Sequence, residues 1–399
     1  MSRGVTEFES ARLRQALAAR RLTQAQLAGL VGVSPATISK WRSGSQAPEA
    51  DALERLAQVM NVTAEWFTRK PLPKGTIPLY RSNASAHVAA REMLGARLEW
   101  AEDVAFAMTS YVDFPALRLP TFDFVDPEAI ADSDIEDAAT QCRHLWGLGT
   151  AVIPDLALAV ESAGIVLVRE ETGVAQIEGL SAWSAALERP FILLSSDKAN
   201  AFRSRFDLAH ELGHLILHRH IRRAEEKERY NLLERQAHRF AGAFLLPAES
   251  IAMDVRTPVT LDSLLLLKQR WGVSVAAIIM RLVAIGVLSD DDKQLLFKRR
   301  SARWGVKAEP GDDLWKPEQP RLLRRSVELL ISSKLVPREF LPKHFGLGQR
   351  DVEMLCALPD GYFSHSGEVI QLAQLRSGNL TVGTQTGSGT VLPFSRNLR

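Results

Sequence analysis

Between Pro71 and Pro78 the chain reads Pro-Leu-Pro-Lys-Gly-Thr-Ile-Pro, three prolines and a glycine in eight residues. Each proline lacks an N–H and fixes φ, so no helix runs through this stretch and the chain is cut into separate folding units there. At 399 residues there is room for two or three domains with their own cores. The pattern predicts a compact unit over 1–70, a linker over 71–85, a helical connector over 86–134, a central domain over 135–290 and a basic, helical region over 291–399. The formal charge is only +2, so any contact with nucleic acid has to come from a local patch. Two cysteines, Cys142 and Cys356, build neither a disulfide framework nor a four-thiolate metal site, and they suit a reducing cytosol. The first residues contain no apolar signal-peptide core, and the longest apolar stretch, around Val273 to Val287, is interrupted by Arg281. A soluble cytoplasmic protein without membrane contact is expected.

Apolar periodicity sets the fold class. Residues 6–68 carry Leu13, Leu17, Leu27, Leu30, Val31, Ile38, Leu53, Leu56, Val59, Val62 and Trp66, mostly at helical steps. Ala86 to Met108 reads as one long helix with Val88, Leu94, Leu98, Ala101, Ala105 and Met108 on a stripe. Helices follow at about 133–147 and 153–163, then short apolar strands at Ile165–Val168 and Phe191–Leu194, then helices from 203 to 289. The chain is therefore expected to be mainly α with a small β-sheet (α+β), ending in a helical region with a short β-rich tail of Gly, Ser and Thr.

Residues Thr23 to Gly44 read TQAQLAGLVGVSPATISKWRSG. Thr23 can cap a helix over Gln24–Val31 whose inner face carries Leu27 and Leu30, and Gly32 supplies a tight turn. Ser34 caps a second helix with Pro35 at its first position, where a missing N–H costs nothing. Ile38 and Trp41 anchor this helix, leaving Ala36, Thr37, Ser39 and Lys40 outward, as a helix lying in a DNA groove requires. Residues 1–70 hold ten Lys/Arg against six Asp/Glu, a local excess of four positive charges. The alternative is a plain helical hairpin. The same Gly-Val-Ser turn recurs at 272–274, but the helix after it is apolar nearly all round, which predicts burial and not groove binding.

The Thr23–Gly44 segment resembles the XRE (lambda-repressor-like) helix-turn-helix family. The resemblance implies a five-helix DNA-binding domain in which Gln24 binds a phosphate, while Pro35, Ala36, Thr37 and Lys40 face base edges. Ser34 and Arg42, at the two ends of the second helix, complete the expected contacts. It also implies double-stranded operator DNA as a partner and a homodimer on paired half-sites.

The second motif is Arg203 to Leu217, RSRFDLAHELGHLIL. His210 and His214 at i and i+4 lie one above the other on a helix, so both imidazoles can reach one zinc ion (Zn2+). Glu211 sits beside them and is placed to take a proton from water. Leu208, Leu212, Leu215 and Ile216 form the opposite, apolar face. His218 continues the stripe but lies about 12 Å along the axis from His210, too far to close on the same ion. His220 has the metzincin spacing but lacks the glycine turn that spacing needs. The better third ligand is Glu234, on the next predicted helix, whose buried face is Tyr230, Leu233, Ala237, Phe240 and Phe244 and which Pro247 ends. Two His and one Glu leave a fourth position open, the arrangement of a catalytic zinc. His238, one turn beyond Glu234, is a candidate supporting group. The strand near Phe191–Ser195 offers an edge for an extended peptide.

Together, RSRFDLAHELGH (203–214), Glu-x-x-Ala-x-x-Phe-Ala (234–241) and Leu-Leu-Pro (245–247) resemble the ImmA/IrrE family of metallopeptidases over about residues 135–290. The resemblance implies a zincin-like domain with His210, His214 and Glu234 on zinc, Glu211 as the catalytic base, and a protein or peptide substrate, either a repressor or the chain itself. A DNA-binding regulator with a signal-responsive peptidase domain is the leading expectation. The alternatives are a regulator that keeps the zinc site as a sensor or fold element, and an antitoxin-type repressor. Residues 298–350 carry thirteen Lys/Arg against six Asp/Glu, with Trp304 and Trp315 nearby. A solvated basic face is the expectation there, ahead of a second nucleic-acid contact.

Overall fold

The computed structural model describes residues 4–76, 79–80, 88–171, 173, 178–197, 200–221, 227–306 and 308–364; the Gly-, Ser- and Thr-rich tail lies outside them. The N-terminal unit has α1 (Ser10–Arg20), α2 (Gln24–Val31), α3 (Pro35–Ser43) and α4 (Ala50–Met60), closed by a 3-10 helix at Ala64–Thr68. Thr23 and Gln26 form a reciprocal capping box at α2, and Ser34 accepts from Thr37 N–H at the start of α3, with Pro35 at its first position. Gly32 turns between the two helices at φ 76°. Leu13, Leu27, Ile38, Leu56 and Trp66 are buried, but Leu30 is 60% exposed, against expectation. The inner arc of α2 is Leu27, Ala28 and Val31. Leu30 falls roughly 100° from its centre, because successive residues turn about 100°.

β1 (Leu79–Tyr80) precedes α5 (Val88–Met108). Leu94, Leu98, Ala101, Ala105 and Met108 are buried as their spacing predicts, whereas Val88, the first residue of the helix, is exposed. α6 (Asp132–Leu145) and α7 (Leu156–Ser162) lead to β2 (Val166–Glu170), β3 (Gly179–Ser184) and β4 (Arg189–Ser195). The sheet order is β1-β3-β4-β2; β2 runs parallel to β4, and β3 is antiparallel to both β1 and β4. β4 is thus an inner strand, so Phe191–Ser195 has no free edge and cannot take a peptide as the sequence suggested. Alternate residues serve two cores: Val166, Val168, Leu180, Phe191 and Leu193 pack with α5, and Leu167, Trp183, Ile192 and Leu194 pack with the helices behind the sheet. Burial on both faces explains the apolar runs Val166–Val168 in β2 and Phe191–Leu194 in β4.

Behind the sheet lie α8 (Ala201–Leu217), α9 (Lys227–Leu245), α10 (Ala248–Asp254), α11 (Leu261–Trp271), α12 (Val275–Ala284) and α13 (Asp290–Trp304). The α12 helix, predicted to be wholly buried, hides Val275, Ile278, Ile279 and Leu282 but leaves Met280 52% exposed. Its exposed side, with Ala276, Ala277 and Ala284, lines a cleft. The last helices, α14 (Leu322–Ser332), α15 (Leu341–Phe345) and α16 (Gln349–Leu355), do not stand apart. Leu323, Val327, Leu341, Phe345 and Val352 join the same core as α1–α5. Asp351 accepts from Arg20 Nη1 (2.8 Å) and Arg97 Nη1 (2.6 Å), and Arg97 also pairs with Glu170 at the end of β2. One buried ionic knot therefore ties α1, α5, α16 and the sheet. Removing one member of such a knot costs about 3–5 kcal/mol, because a charge is left buried alone. The basic C-terminal region is not simply solvated either: Arg300 is buried against Glu309, and Trp315 packs on Phe202 with ring centres 5.3 Å apart. Cys142 and Cys356 are free and buried. Among the described residues no single helix is long and apolar enough to cross a membrane.

Candidate metal centre and nucleic-acid interface

Asn200 starts α8 by accepting from Arg203 N–H, and the helix lies over β3 and β4 with α9 packed on its outer side. α9 comes close at Gly213, where a Cβ would stand 3.1 Å from the Phe240 side chain. That approach delivers Glu234 to the two histidines. His210 Nε2 and His214 Nε2 are 3.0 Å apart, and Glu234 Oε2 and Oε1 lie 3.4 Å from them respectively. All three ligand atoms fall within 4.8 Å of one another. The structure thus brings together the three residues that spacing and the second helix had paired. His238 packs its ring 4.4 Å from that of His210 and donates from Nδ1 to the Glu234 carbonyl at 2.7 Å. It braces both without joining them.

Electrostatics favour a cation at this point. Burial, opposed by the Glu234 hydrogen bond and reinforced by His214 and His238, takes His210 down to about 3, so its imidazole is neutral. Burial raises the Glu234 carboxyl, but the two imidazoles facing it, His210 and His214, outweigh it and hold it below the usual carboxylate range. Glu234 Oε1 is buried and accepts no hydrogen bond. Two imidazoles and a carboxylate with an unsatisfied buried oxygen are a donor set that fits a divalent metal ion.

A relay behind His214 fixes which nitrogen faces that point. Gln236 Nε2 donates to Pro127 O at 2.6 Å, so its Oε1, 3.1 Å from His218 Nε2, must accept. His218 is neutral, its pKa held well below the ordinary value by burial and then by His214. With its one proton on Nε2, its Nδ1 accepts from His214 Nδ1 at 2.9 Å. His214 Nε2 is left with a lone pair directed at His210 and Glu234. A backbone carbonyl thereby sets a ligand tautomer through two side chains. His218, which the sequence shows only to be too distant to coordinate, holds the ligand from behind.

Glu211 is buried and accepts from Ser181 Oγ at 2.8 Å through Oε2. Ser181 sits on β3, a strand the sequence reading missed because Gly-Leu-Ser-Ala-Trp-Ser has no β-branched residue. A cleft of about 840 Å3 opens on Glu234 and His238, with Phe206, Ala277, Met280 and Val306 among its apolar lining.

In the N-terminal unit Ser34, Pro35, Ala36, Lys40 and Arg42 are exposed, while Gln24 and Thr37 are half-buried. Ser34 and Thr37 share the cap of α3, their hydroxyls 2.9 Å apart. The Gln24 carboxamide faces the Arg42 guanidinium, and with its oxygen turned to that side it would accept from Arg42 Nη1 at 2.6 Å. The expected contact residues therefore share one surface around the start and outer side of α3.

Residues 13–67 match the helix-turn-helix family model, and residues 160–283 match that of the IrrE N-terminal-like domain. No curated protein matches the chain. A solved structure of a Mycobacterium tuberculosis transcriptional regulator is similar at 18% identity and a TM-score of 0.28, covering 46% of this chain and 51% of that one. The chain spans about half the length of that structure. The chain thus carries, in order, a segment similar to helix-turn-helix domains and a segment similar to the IrrE N-terminal-like domain.

Proposed function

We propose that the chain is a transcriptional regulator whose IrrE-like domain is a zinc-dependent endopeptidase acting on a protein, either a partner repressor or itself. The observation that carries this is the convergence of His210, His214 and Glu234, with Glu211 beside them and a cleft opening on Glu234. His210, His214 and Glu234 would hold the zinc ion. Bound there, zinc supplies Lewis acidity, which makes water more acidic and a peptide carbonyl more electrophilic. Glu211 takes one proton from the attacking water as its oxygen bonds to the carbonyl carbon. The same carboxyl returns that proton to the amide nitrogen as the C–N bond breaks, so the base is regenerated. Ser181 donates to Glu211 Oε2 and so fixes one oxygen of that carboxylate. The relay through His218 and Gln236 keeps His214 in its ligand tautomer. The helix-turn-helix unit would bring this chemistry to an operator, with Lys40 and Pro35 to Thr37 at the groove, Gln24 on a phosphate and two copies on paired half-sites.

Glu211→Gln separates binding from chemistry. The variant should keep zinc and lose cleavage of a candidate repressor, or of the chain itself. Undiminished cleavage by that variant would refute the assignment.

A further inference from the structure

The cleft beside the metal centre combines an apolar surface with a single unpaired charge. On α9, Asn231, Arg235, His238 and Gly242 follow at steps of four, three and four, so they share the face that lines it, next to Glu234. Ala276, Ala277 and Met280 of α12 add to the lining, with the Phe206 ring from α8. The small residues leave room, and Met280, 52% exposed, is a large apolar side chain left to water inside a concavity. At about 840 Å3 the cleft falls in the range of ligand sites, roughly 300–1,000 Å3. Apolar surface held open in such a place marks binding and not packing.

Nearly all other charge around the cleft is cancelled. Arg203 pairs with Glu178 and lies 3.9 Å from Asp207, Arg239 pairs with Asp132, and Arg281 pairs with Glu136. Arg300 donates to Glu309, which also accepts from the N–H groups of Val275 and Ala276 at 2.8 and 3.1 Å, and Asp312 pairs with the buried Lys268. Arg300, Glu309 and Asp312 come from beyond residues 160–283, so that wall belongs to this chain and not to its IrrE-like segment. Arg235 is the exception. It is exposed, and its side chain has no ion-pair or hydrogen-bond partner among the described residues. A free guanidinium beside an apolar groove suits a carboxylate carried next to an apolar group.

We propose that this cleft selects the substrate: a large apolar side chain fills the space at Ala277 and Met280, and an acidic side chain adjoining it in the peptide pairs with Arg235. That the ligand is a polypeptide rests on the peptidase reading; the preference rests on the lining alone. Met280 is the adaptable part, since an unbranched thioether fits itself to Leu, Met or Phe alike. Removing the three outer carbons of a bound leucine weakens binding about tenfold if half of their surface is buried. Pairing at an exposed guanidinium is worth less, about fivefold.

The test uses the full chain carrying Glu211→Gln, so that bound peptides stay intact, supplied with zinc. Fluorescent ten-residue peptides with a Gly/Ser frame carry Asp-Leu-Asp, Asn-Leu-Asn, Asp-Ala-Asp or Lys-Leu-Lys at the centre, and anisotropy follows their binding. Asp-Leu-Asp should bind about fivefold more tightly than Asn-Leu-Asn and about tenfold more tightly than Asp-Ala-Asp. Arg235→Ala should abolish the first difference and keep the second, and Arg235→Glu should make Lys-Leu-Lys the tightest. Ala277→Phe, which fills the groove, should abolish the second difference and keep the first. Arg235 is exposed, so its replacement tests recognition and not folding. Equal affinity for all four peptides in the parent chain, absence of binding included, overturns the proposal, and so does an Asp preference unchanged by Arg235→Ala. Exposing the same peptides to the chain with Glu211 intact separates this inference from the peptidase reading. Peptides cut without this order of preference sink the selection and leave the peptidase standing. The binding order preserved in a chain that cuts none of them does the reverse.

Discussion

Gln236→Leu removes the amide that links His218 to Pro127 O, and it does so without touching a ligand. Two buried groups lose their partners: the His218 Nε2–H, now without its acceptor at 3.1 Å, and the Pro127 carbonyl, without its donor at 2.6 Å. Each unsatisfied group costs about 1–3 kcal/mol, so the variant should be less stable by about 2–6 kcal/mol. With no acceptor on Nε2, the proton of His218 is free to move to Nδ1, which turns the 2.9 Å contact with His214 Nδ1 into two opposed donors. His214 is then driven toward the wrong tautomer. Loss of an outer partner of this kind lowers metal affinity about 10–100-fold, or about 1.4–2.7 kcal/mol. Competition with a chromophoric zinc chelator at neutral pH measures this on folded protein. Leu330→Ala, in the other hydrophobic core, is the control for destabilisation alone, at about 2–5 kcal/mol. Zinc affinity unchanged in Gln236→Leu, or lowered equally in Leu330→Ala, would refute the relay.

Three further outcomes follow from the same geometry. Ser181→Ala should retain zinc and slow cleavage, since it removes one hydrogen bond from the Glu211 carboxylate without removing the carboxylate; a turnover assay on metal-loaded protein checks this, and loss of metal would contradict it. Lys40→Ala should weaken operator binding and lower the salt slope by about one ion, measured by titration at several salt concentrations, with no change in zinc content. Burial pushes the Glu102 carboxyl up to about 7, above its ordinary value near 4.5, so the folded state holds a proton the unfolded state releases. Stability should therefore fall as pH rises from about 4.5 to 7, by an amount on the order of 2 kcal/mol. Glu102→Gln should flatten that slope in denaturant titrations, and an unchanged slope would rule the carboxyl out as its source.

Much of the metal centre was legible because a helix converts spacing into geometry. The i, i+4 step stacks His210 on His214, and the apolar stripe of α9 fixes which way Glu234 points. Caps and turns were equally local: Thr23, Gly32, Ser34 and Pro35 act on their own neighbours. What stayed hidden depends on contacts far apart in sequence. Gln236 reaches Pro127 across 109 residues, and Arg20 reaches Asp351 across 331. Ser181 escaped notice because β3 has no β-branched residue to mark it as a strand. The edge expected at Phe191–Ser195 was misplaced because a strand's neighbours are set by topology and not by its own sequence. Leu30 and Val88 went astray for the opposite reason, since an apolar residue at a helical step is not bound to face inward.

Metal content is the most direct measurement. Full-length protein purified without chelator should contain one zinc ion per chain, and Glu234→Ala and His214→Ala should each lose it while remaining folded by circular dichroism. Full zinc occupancy in both variants, or a folded wild-type chain that takes up no zinc even when it is supplied in excess, would contradict a centre built from His210, His214 and Glu234.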